Sequence, residues 1–435
     1  MDTSTTTLSN NRKLLIVVGL VLLFVVIVLV WYFFYAKPII APSLDTTKNP
    51  IPTRTVPVRA AFLNWVSSQV SSSTTEVTDP SLYPLTRIWD KPATGQTFIT
   101  TDILQEIAAT TTVGTTTIAT KKMVRATSTT LLFVDKITGY IYGYPLETGK
   151  VFQISNTVIP GVHDAYFFNN GTRVMMRYID REKNTVVGLI ASVPAVVPTS
   201  NALPLISVQY LNAEVSSIAL NENKDRASYV VATEKGSAVY TVTNKDPVYV
   251  TSSPFREWSL SYGGNELFVT TKPSAYVEGS TLSLTTFQPE IQEKTGLMSN
   301  PTIGGVMLNS MWGNKGLLTF LSTNGSIKLL QVATLAPKCS WGKKYYLVCA
   351  IPRVMPTTTE GLPDDWFQGR VSFVDDLMVV DIKTGSHYLL YEFTQSDGEF
   401  DITNIALSEA HEYLSFTKQQ DGTLWLLSTR LLEGE

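Results

Sequence analysis

Histidine and cysteine are the scarcest chemistry-bearing residues of this chain, three and two among 435 positions. His163, His387 and His411 stand far apart, and none has a second histidine or a cysteine beside it. Metal sites draw on ligands clustered at short spacing, so no metal is expected. An Asp-x-Asp-x-Asp calcium loop is missing, as is a glycine loop ending in Lys-Ser/Thr that could cradle phosphate. The Gly-x-Ser-x-Gly elbow of serine hydrolases is also missing. These gaps leave no catalytic residue to nominate and no cofactor to expect. The sequence reads as a non-enzyme.

Charge is sparse as well. Charged residues make up 16% of the chain, where soluble proteins average about 25%. The net charge of −3 excludes the basic footprint of a nucleic-acid binder. Serine and threonine fill the space that charge vacates. Threonine and valine suit a pleated strand surface, whereas lysine, glutamate and alanine are depleted there, so the balance favours an all-β fold.

One long apolar run is present. Leu14 to Tyr35 is 22 residues without a charge, and as a helix it covers about 33 Å, enough for a bilayer core. It exceeds the apolar core of a signal peptide, and Phe34 stands where a cleavage site before Lys37 would want a small residue. Trp31, Tyr32 and Tyr35 gather at its far end, as headgroup-level aromatics do. Arg12 and Lys13 flank the near end against Lys37 alone beyond the other, which puts residues 1–13 in the cytoplasm as a short tail. A single-pass protein of the cell membrane follows, its carboxy-terminal domain extracytoplasmic. Residues 36–82, with Pro38, Pro42, Pro50, Pro52 and Pro57 among serines and threonines, read as a stalk. Within it, Phe62, Trp65, Val66 and Gln69 are spaced to share one face of a short helix, the alternative being more stalk.

From residue 83 to 430 one pattern recurs: an apolar strand, a polar turn, a second apolar strand. The clearest copies are Ala165–Tyr178, Ser217–Val231, Trp258–Val269, Met311–Leu321, Cys339–Cys349 and Ile405–Phe416. Their turns carry Asn, Gly, Asp or Lys, as hairpins require. Turn centres near 170, 223, 264, 314, 344 and 410 have a mean spacing of 48 residues, close to one blade of a WD40-like propeller. Second turns, Asp135–Gly139, Thr323–Gly325, Asp381–Gly385 and Gln420–Gly422, sit where further strands would join. The last copy supplies three strands before residues 431–435 end the chain, and Leu85–Trp89 is expected to supply its missing outer strand, closing the ring. A first blade over residues 96–157 brings the count to seven, interrupted by a Thr-rich segment, Thr110–Thr120, read as a disordered loop. The expectation is therefore a seven-bladed β-propeller. Six or eight blades remain compatible, because the short interval from 314 to 344 implies a lost strand.

These hairpins resemble those of TolB-like propellers and of the amino-terminal propeller of dipeptidyl-peptidase-IV-type enzymes, which carry a Ser-Pro-Asp-Gly-Lys-like turn. Asn221-Glu-Asn-Lys-Asp225 and Ser408-Glu-Ala-His-Glu412 keep the shape of that turn and not its letters. The resemblance covers about four-fifths of the chain and implies fold alone. Anchor plus propeller also looks like the layout of bacterial surface proteins.

Cys339 and Cys349 are the only cysteines. A hairpin centred on Lys344 sets them opposite each other, within reach of a disulfide, the alternative being two facing thiols. A disulfide would imply an oxidising compartment. One further segment, between Cys349 and Phe373, runs over twenty residues without strand periodicity. Such loops serve function or are disordered. Asp364, Asp365, Trp366 and Phe367 make it the candidate binding loop, since charge beside large aromatic surface is common at binding hot spots. The competing role is a cap, with Trp366 and Phe367 folded back onto the propeller.

The expected function is a membrane-anchored interaction or envelope scaffold module that meets a protein partner and no nucleic acid. The rival is a carbohydrate-binding or hydrolytic propeller at the cell surface, with Trp312, Asp364, Asp365 and Trp366 converging on one face.

Overall fold

The computed structural model describes residues 85–429, apart from 114–115, 183, 195–202, 204, 304–305, 314–315, 324–325, 343–344 and 356–360. All belong to the compact unit Val58–Glu435. The expected membrane helix at 14–35, the stalk and the final tail lie outside the described residues. Among those described, no helix is long and apolar enough to cross a membrane.

Antiparallel strands follow one another in short meanders. Strand β1 is Leu85–Trp89, and β2 (Ala93–Val113), β3 (Thr116–Asp135), β4 (Ile141–Pro145) and β5 (Phe152–Gln153) form one sheet in that order. Next come β6 (Val162–Phe168), β7 (Arg173–Asp180), β8 (Thr185–Ser192), β9 (Val208–Leu220), β10 (Ala227–Thr233), β11 (Gly236–Val242) and β12 (Val248–Ser253), hydrogen-bonded in succession. In this run β9 is shared: its first half pairs with β8 and its second half with β10. Then β13 (Trp258–Gly263), β14 (Glu266–Thr271), β15 (Glu278–Ser283) and β16 (Pro289–Thr295) form a meander. So do β17 (Met298–Ile303), β18 (Val306–Gly313), β19 (Gly316–Thr323) and β20 (Ser326–Leu329). A single parallel pair, Gly263 to Thr302, joins these two through their first strands. A further sheet holds β21 (Cys339–Trp341), β22 (Tyr346–Pro352), β23 (Asp375–Asp381) and β24 (His387–Tyr391). Finally β25 (Ile402–Leu407), β26 (Tyr413–Lys418) and β27 (Leu424–Ser428) take β1 as their fourth strand, with Leu85 opposite Leu427 and Thr86 opposite Leu426.

The first strands of these meanders touch in a cycle. β2 lies beside β6, β6 beside β9, β9 beside β13, β13 beside β17, β17 beside β21, and β21 beside β25, which returns to β2. Meanders radiating from a ring of first strands make a β-propeller. Burial follows radius: β10 is mostly buried, whereas the outer strand β12 is mostly exposed. Apolar side chains fill the wedges between neighbouring sheets. Ile99, Leu132 and Val134 meet Phe167, Val174 and Met176 in one wedge. Ile88, Leu131, Phe133, Leu424 and Leu426 meet in the wedge beside β1. There the Trp89 ring lies tilted against Tyr142, ring centres 4.5 Å apart, and Trp89 donates its indole N–H to Asp135 Oδ2 at 3.0 Å.

Turn chemistry explains the hairpins. Asn169 and Asn170 sit at φ +52°, which Asn tolerates better than most residues, and Gly171 follows at +76°. The Asp-x-x-Thr-Gly stretches at 135–139 and 381–385 are matching Asx turns. Asp135 Oδ1 accepts from the backbone N–H of Ile137 and Thr138, and Asp381 Oδ1 accepts from that of Lys383.

Two expectations need correction. Thr110–Thr120 is strand on both sides of residues 114–115, with Thr110 opposite Ala119 and Thr112 opposite Thr117. Threonine runs are β-branched, so low complexity there does not mean disorder. No strand is lost between 314 and 344 either. Position 314 falls between the second and third strands of its meander, β18 and β19, while positions 264 and 344 fall between first and second strands. The matching position lies between Ile303 and Val306, after a first strand that contains Pro301.

Candidate functional site

The segment between β22 and β23 folds onto the protein. Residues Asp364–Phe367 form one helical turn, α1. Asp364 Oδ2 accepts the N–H of Ala275, from the loop between β14 and β15, at 2.5 Å. Asp365 pairs with Arg370 at 2.9 Å and lies so close over Gly361 that a Cβ there would collide with its carboxyl. Trp366 is 4% exposed and donates its indole N–H to Asp401 Oδ2 at 3.0 Å. Phe367 is 53% exposed. Of the four candidate binding residues, three have partners inside the protein and one faces outward. Trp312, from the rival grouping, packs against the same apolar cluster as Trp366.

Beneath α1 lies a charge cluster that no local motif announces. Lys338, at the end of a 3-10 turn before β21, is fully buried, as are Asp375 and Asp401. Its Nζ is 2.6 Å from Asp375 Oδ2 and 2.7 Å from Asp401 Oδ1. The ammonium also stands over the Phe373 ring, 4.3 Å from its centre. Asp401 Oδ2 further accepts the N–H of Phe373, and Asp375 Oδ2 accepts that of Ile402. Asp375 Oδ1 has no hydrogen-bond partner among the described residues. Burial pushes the Asp375 carboxyl up to about 6; Lys338 opposes this and the Asp401 charge adds to it. These groups come from two adjacent sheets and a loop, all at strand beginnings. Sealed from solvent, the cluster locks sheets together and offers no place for a reacting molecule.

A second cluster ties β6 to β7 and β9. Arg177 grips Asp164 through both guanidinium edges, Nε to Oδ1 at 2.8 Å, and donates Nη1 to the carbonyl of Ser216 at 2.5 Å. Burial works to raise the Asp164 pKa, but the bonds from Arg177 and His163 outweigh it and hold the carboxyl at about 2.

The open recess lies at the opposite ends of the strands, where the first and last meanders meet. It has a volume of about 610 Å³ and is walled by Thr100, Thr127, Thr129, Glu147, Glu412 and Tyr413, with Leu146, Glu409 and Ala410 completing the rim. Glu147 is held in place by Ser128 Oγ and the N–H of Thr129, both at 3.0 Å. Among the described residues no lysine or arginine lines the recess. Sequence reasoning missed it because Glu147 and the 409–413 turn are more than 250 positions apart. Only ring closure brings them together.

Among the described residues no three His, Cys, Asp or Glu side chains gather as a metal-binding group. Cys339 and Cys349 are joined in a disulfide across the β21–β22 pair.

No family model matches the chain, and no curated protein matches it. Among solved structures it is similar to an oligogalacturonate lyase from Vibrio parahaemolyticus, at 8% identity and a TM-score of 0.46, over 78% of this chain and 98% of that one. It is also similar to the β-propeller domain of Cps50 (Swd1) from Myceliophteria thermophila, at 12% identity and a TM-score of 0.41, over 69% and 93%. The propeller reading stands on the strand pairing described above, and no chemistry is taken from either likeness.

Proposed function

We propose that this chain is a membrane-anchored, extracytoplasmic β-propeller of seven blades that acts as a protein-interaction module. Seven first strands in the contact cycle support the blade count. Pairing of β1 with β27 supports a domain of residues 83–430 closed by its amino-terminal outer strand. The uncharged run at 14–35 and the disulfide favour a tethered domain in an oxidising compartment. Kinship with TolB-like or dipeptidyl-peptidase-IV-type propellers belongs to the same proposal.

The observation that carries the interaction reading is the acidic recess. It is open, polar-walled and built from two meanders, so its shape depends on the whole ring. A partner surface or segment bearing positive charge fits it. The test is photo-crosslinking in the full-length, membrane-inserted chain, with a benzoylphenylalanine replacing Ala410. The reading expects one discrete protein adduct, lost when Glu409 and Glu412 are both changed to Lys. Crosslinking no stronger than from position 276, at exposed Tyr276, contradicts it.

A second reading has one observation in its favour. Tyr413 beside Glu147, Glu409 and Glu412 is also equipment for a sugar: an aromatic surface, acids and threonine hydroxyls. A neutral oligosaccharide would bind with little salt dependence, whereas a cationic protein segment would be weakened by salt. Protease added to intact cells tests the orientation, and should digest the propeller from outside.

A further inference from the structure

The turn between β9 and β10 carries a lysine that reaches across the ring. The Lys224 carbonyl accepts the backbone N–H of Asn169, from the turn between β6 and β7, at 2.7 Å. Its side chain then donates Nζ to Thr97 Oγ1 of β2 at 3.1 Å. Because β6 stands between β2 and β9 in the contact cycle, that side chain passes over the Asn169 turn. One residue thus ties together the inner ends of the first three meanders. Lys224 also sits at φ +52°, in the left-handed region where Gly or Asn is the ordinary choice. A lysine held there at the cost of strain points to a use for its side chain.

Donors collect at this point and acceptors do not. Asn169 Nδ2 is buried and has no acceptor among the described residues. Thr97, itself buried, accepts from Lys224, and no bond among the described residues takes its own proton. Lys224 is exposed as a residue, yet the protein around its ammonium lowers its pKa by desolvation, and no carboxylate offsets this. Asp225, the next residue, is held instead by Asn221 Nδ2 at 2.7 Å, and Glu222 is exposed. Buried donors in folded proteins are ordinarily matched by acceptors. A cation, an amide and a hydroxyl in one place are complementary to an oxyanion, whose bonds to such donors are charge-assisted. Space there is small. Gly171, in the Asn169 turn, lies so close to Ile99 and Leu132 that a Cβ would meet each at 2.8 Å.

We infer that Lys224, Asn169 and Thr97 bind a small free oxyanion, of the size of phosphate or acetate, between the inner ends of the first three meanders. Lys224 Nζ supplies the charge; Asn169 Nδ2 and the Thr97 hydroxyl supply direction. The bound ion bridges β2 to the turns that follow β6 and β9, so it also stiffens this part of the ring. The site is independent of the acidic recess, whose walls belong to the first and last meanders.

The test is isothermal titration calorimetry of the full-length chain in detergent with inorganic phosphate, at constant ionic strength set by chloride. One saturable site per chain is expected, and acetate should compete for it. Lys224→Met, which removes the charge and keeps most of the length, should weaken phosphate at least tenfold. Asn169→Asp, which sets a carboxylate against the ion, should do the same. Lys235→Met, at an exposed lysine on another turn, should leave the affinity unchanged. Because changes at 224 and 169 could disturb their turns, the unaltered protein is also labelled with a trace of acetic anhydride, and acetylation of each lysine is read by peptide mass spectrometry. Phosphate should slow acetylation of Lys224 at least fivefold relative to Lys235. Acetylation of Lys224 that phosphate leaves unchanged overturns the site. Undiminished phosphate binding by the Lys224→Met chain overturns it too, as does the absence of binding in both measurements.

Discussion

Replacing Lys338 with Met should produce one of the largest single-site losses of stability in the propeller. Lys338 is fully buried between two fully buried carboxylates, at 2.6 and 2.7 Å. At an effective dielectric of about 20, each contact amounts to about 6 kcal/mol of attraction before desolvation is subtracted. Methionine preserves most of the volume and removes the charge, leaving Asp375 and Asp401 facing each other in the interior. Removing one member of a buried ionic group costs about 3–5 kcal/mol, a large part of the roughly 5–15 kcal/mol that holds a domain folded. The pH dependence gives a sharper signature. Without the ammonium the Asp375 carboxyl, already raised to about 6 by burial, loses the charge that opposes the rise, so its folded pKa goes further above the unfolded value. Groups raised in this way stabilise most below the unfolded pKa and lose that contribution as pH rises through the folded one. The deficit of K338M should therefore be greatest near pH 7 and shrink toward pH 4. Urea unfolding followed by tryptophan fluorescence at several pH values measures it. A deficit under about 1 kcal/mol, or one independent of pH, refutes the idea that this cluster locks the sheets.

Trp366→Ala should cost about 3–5 kcal/mol, since it empties a buried site and strips Asp401 of a donor. Phe367→Ala, at an exposed neighbour, should stay within about 0.5 kcal/mol by the same unfolding assay. Asp164→Asn should destabilise by about 2 kcal/mol at pH 7, the worth of a carboxyl shifted from its ordinary value to about 2. Because that pKa is depressed, the contribution is present above pH 4 and fades as pH falls toward 2, so mutant and parent should converge in acid. Reducing the Cys339–Cys349 disulfide, which closes a loop of 10 residues, should cost about 2–3 kcal/mol in the denatured-chain entropy model. Thermal unfolding with and without reductant checks this.

The strands and their turns were legible because alternation and turn chemistry are local. Asp135–Gly139 and Asp381–Gly385 show the same Asx geometry that their shared letters imply. The disulfide was legible for the same reason, as ten residues of hairpin fix its register. Strand β17 was not, because Asn300-Pro301 reads as a turn and its proline lacks a ladder donor. Neither was the full length of the β2–β3 hairpin, because its threonine run reads as low complexity while β-branching suits it to strand. Lys338, Asp375 and Asp401 carry no sequence signal that could have joined them, since 63 positions separate the lysine from its farther partner. The acidic recess likewise depends on ring closure. The segment between Cys349 and Phe373 is unusual in sequence, but its residues say nothing of where they point: Trp366 turns inward and Phe367 outward.

Ring closure by β1 is the claim on which the recess and the domain limits depend. Hydrogen exchange of the full-length chain, read by mass spectrometry, addresses it without any mutation. Those β1 amides that bond to β27 should exchange as slowly as the Leu424–Ser428 amides that bond back to them, because this pairing closes the ring. Exchange of residues 85–89 within seconds, while 424–428 stay protected, would contradict closure.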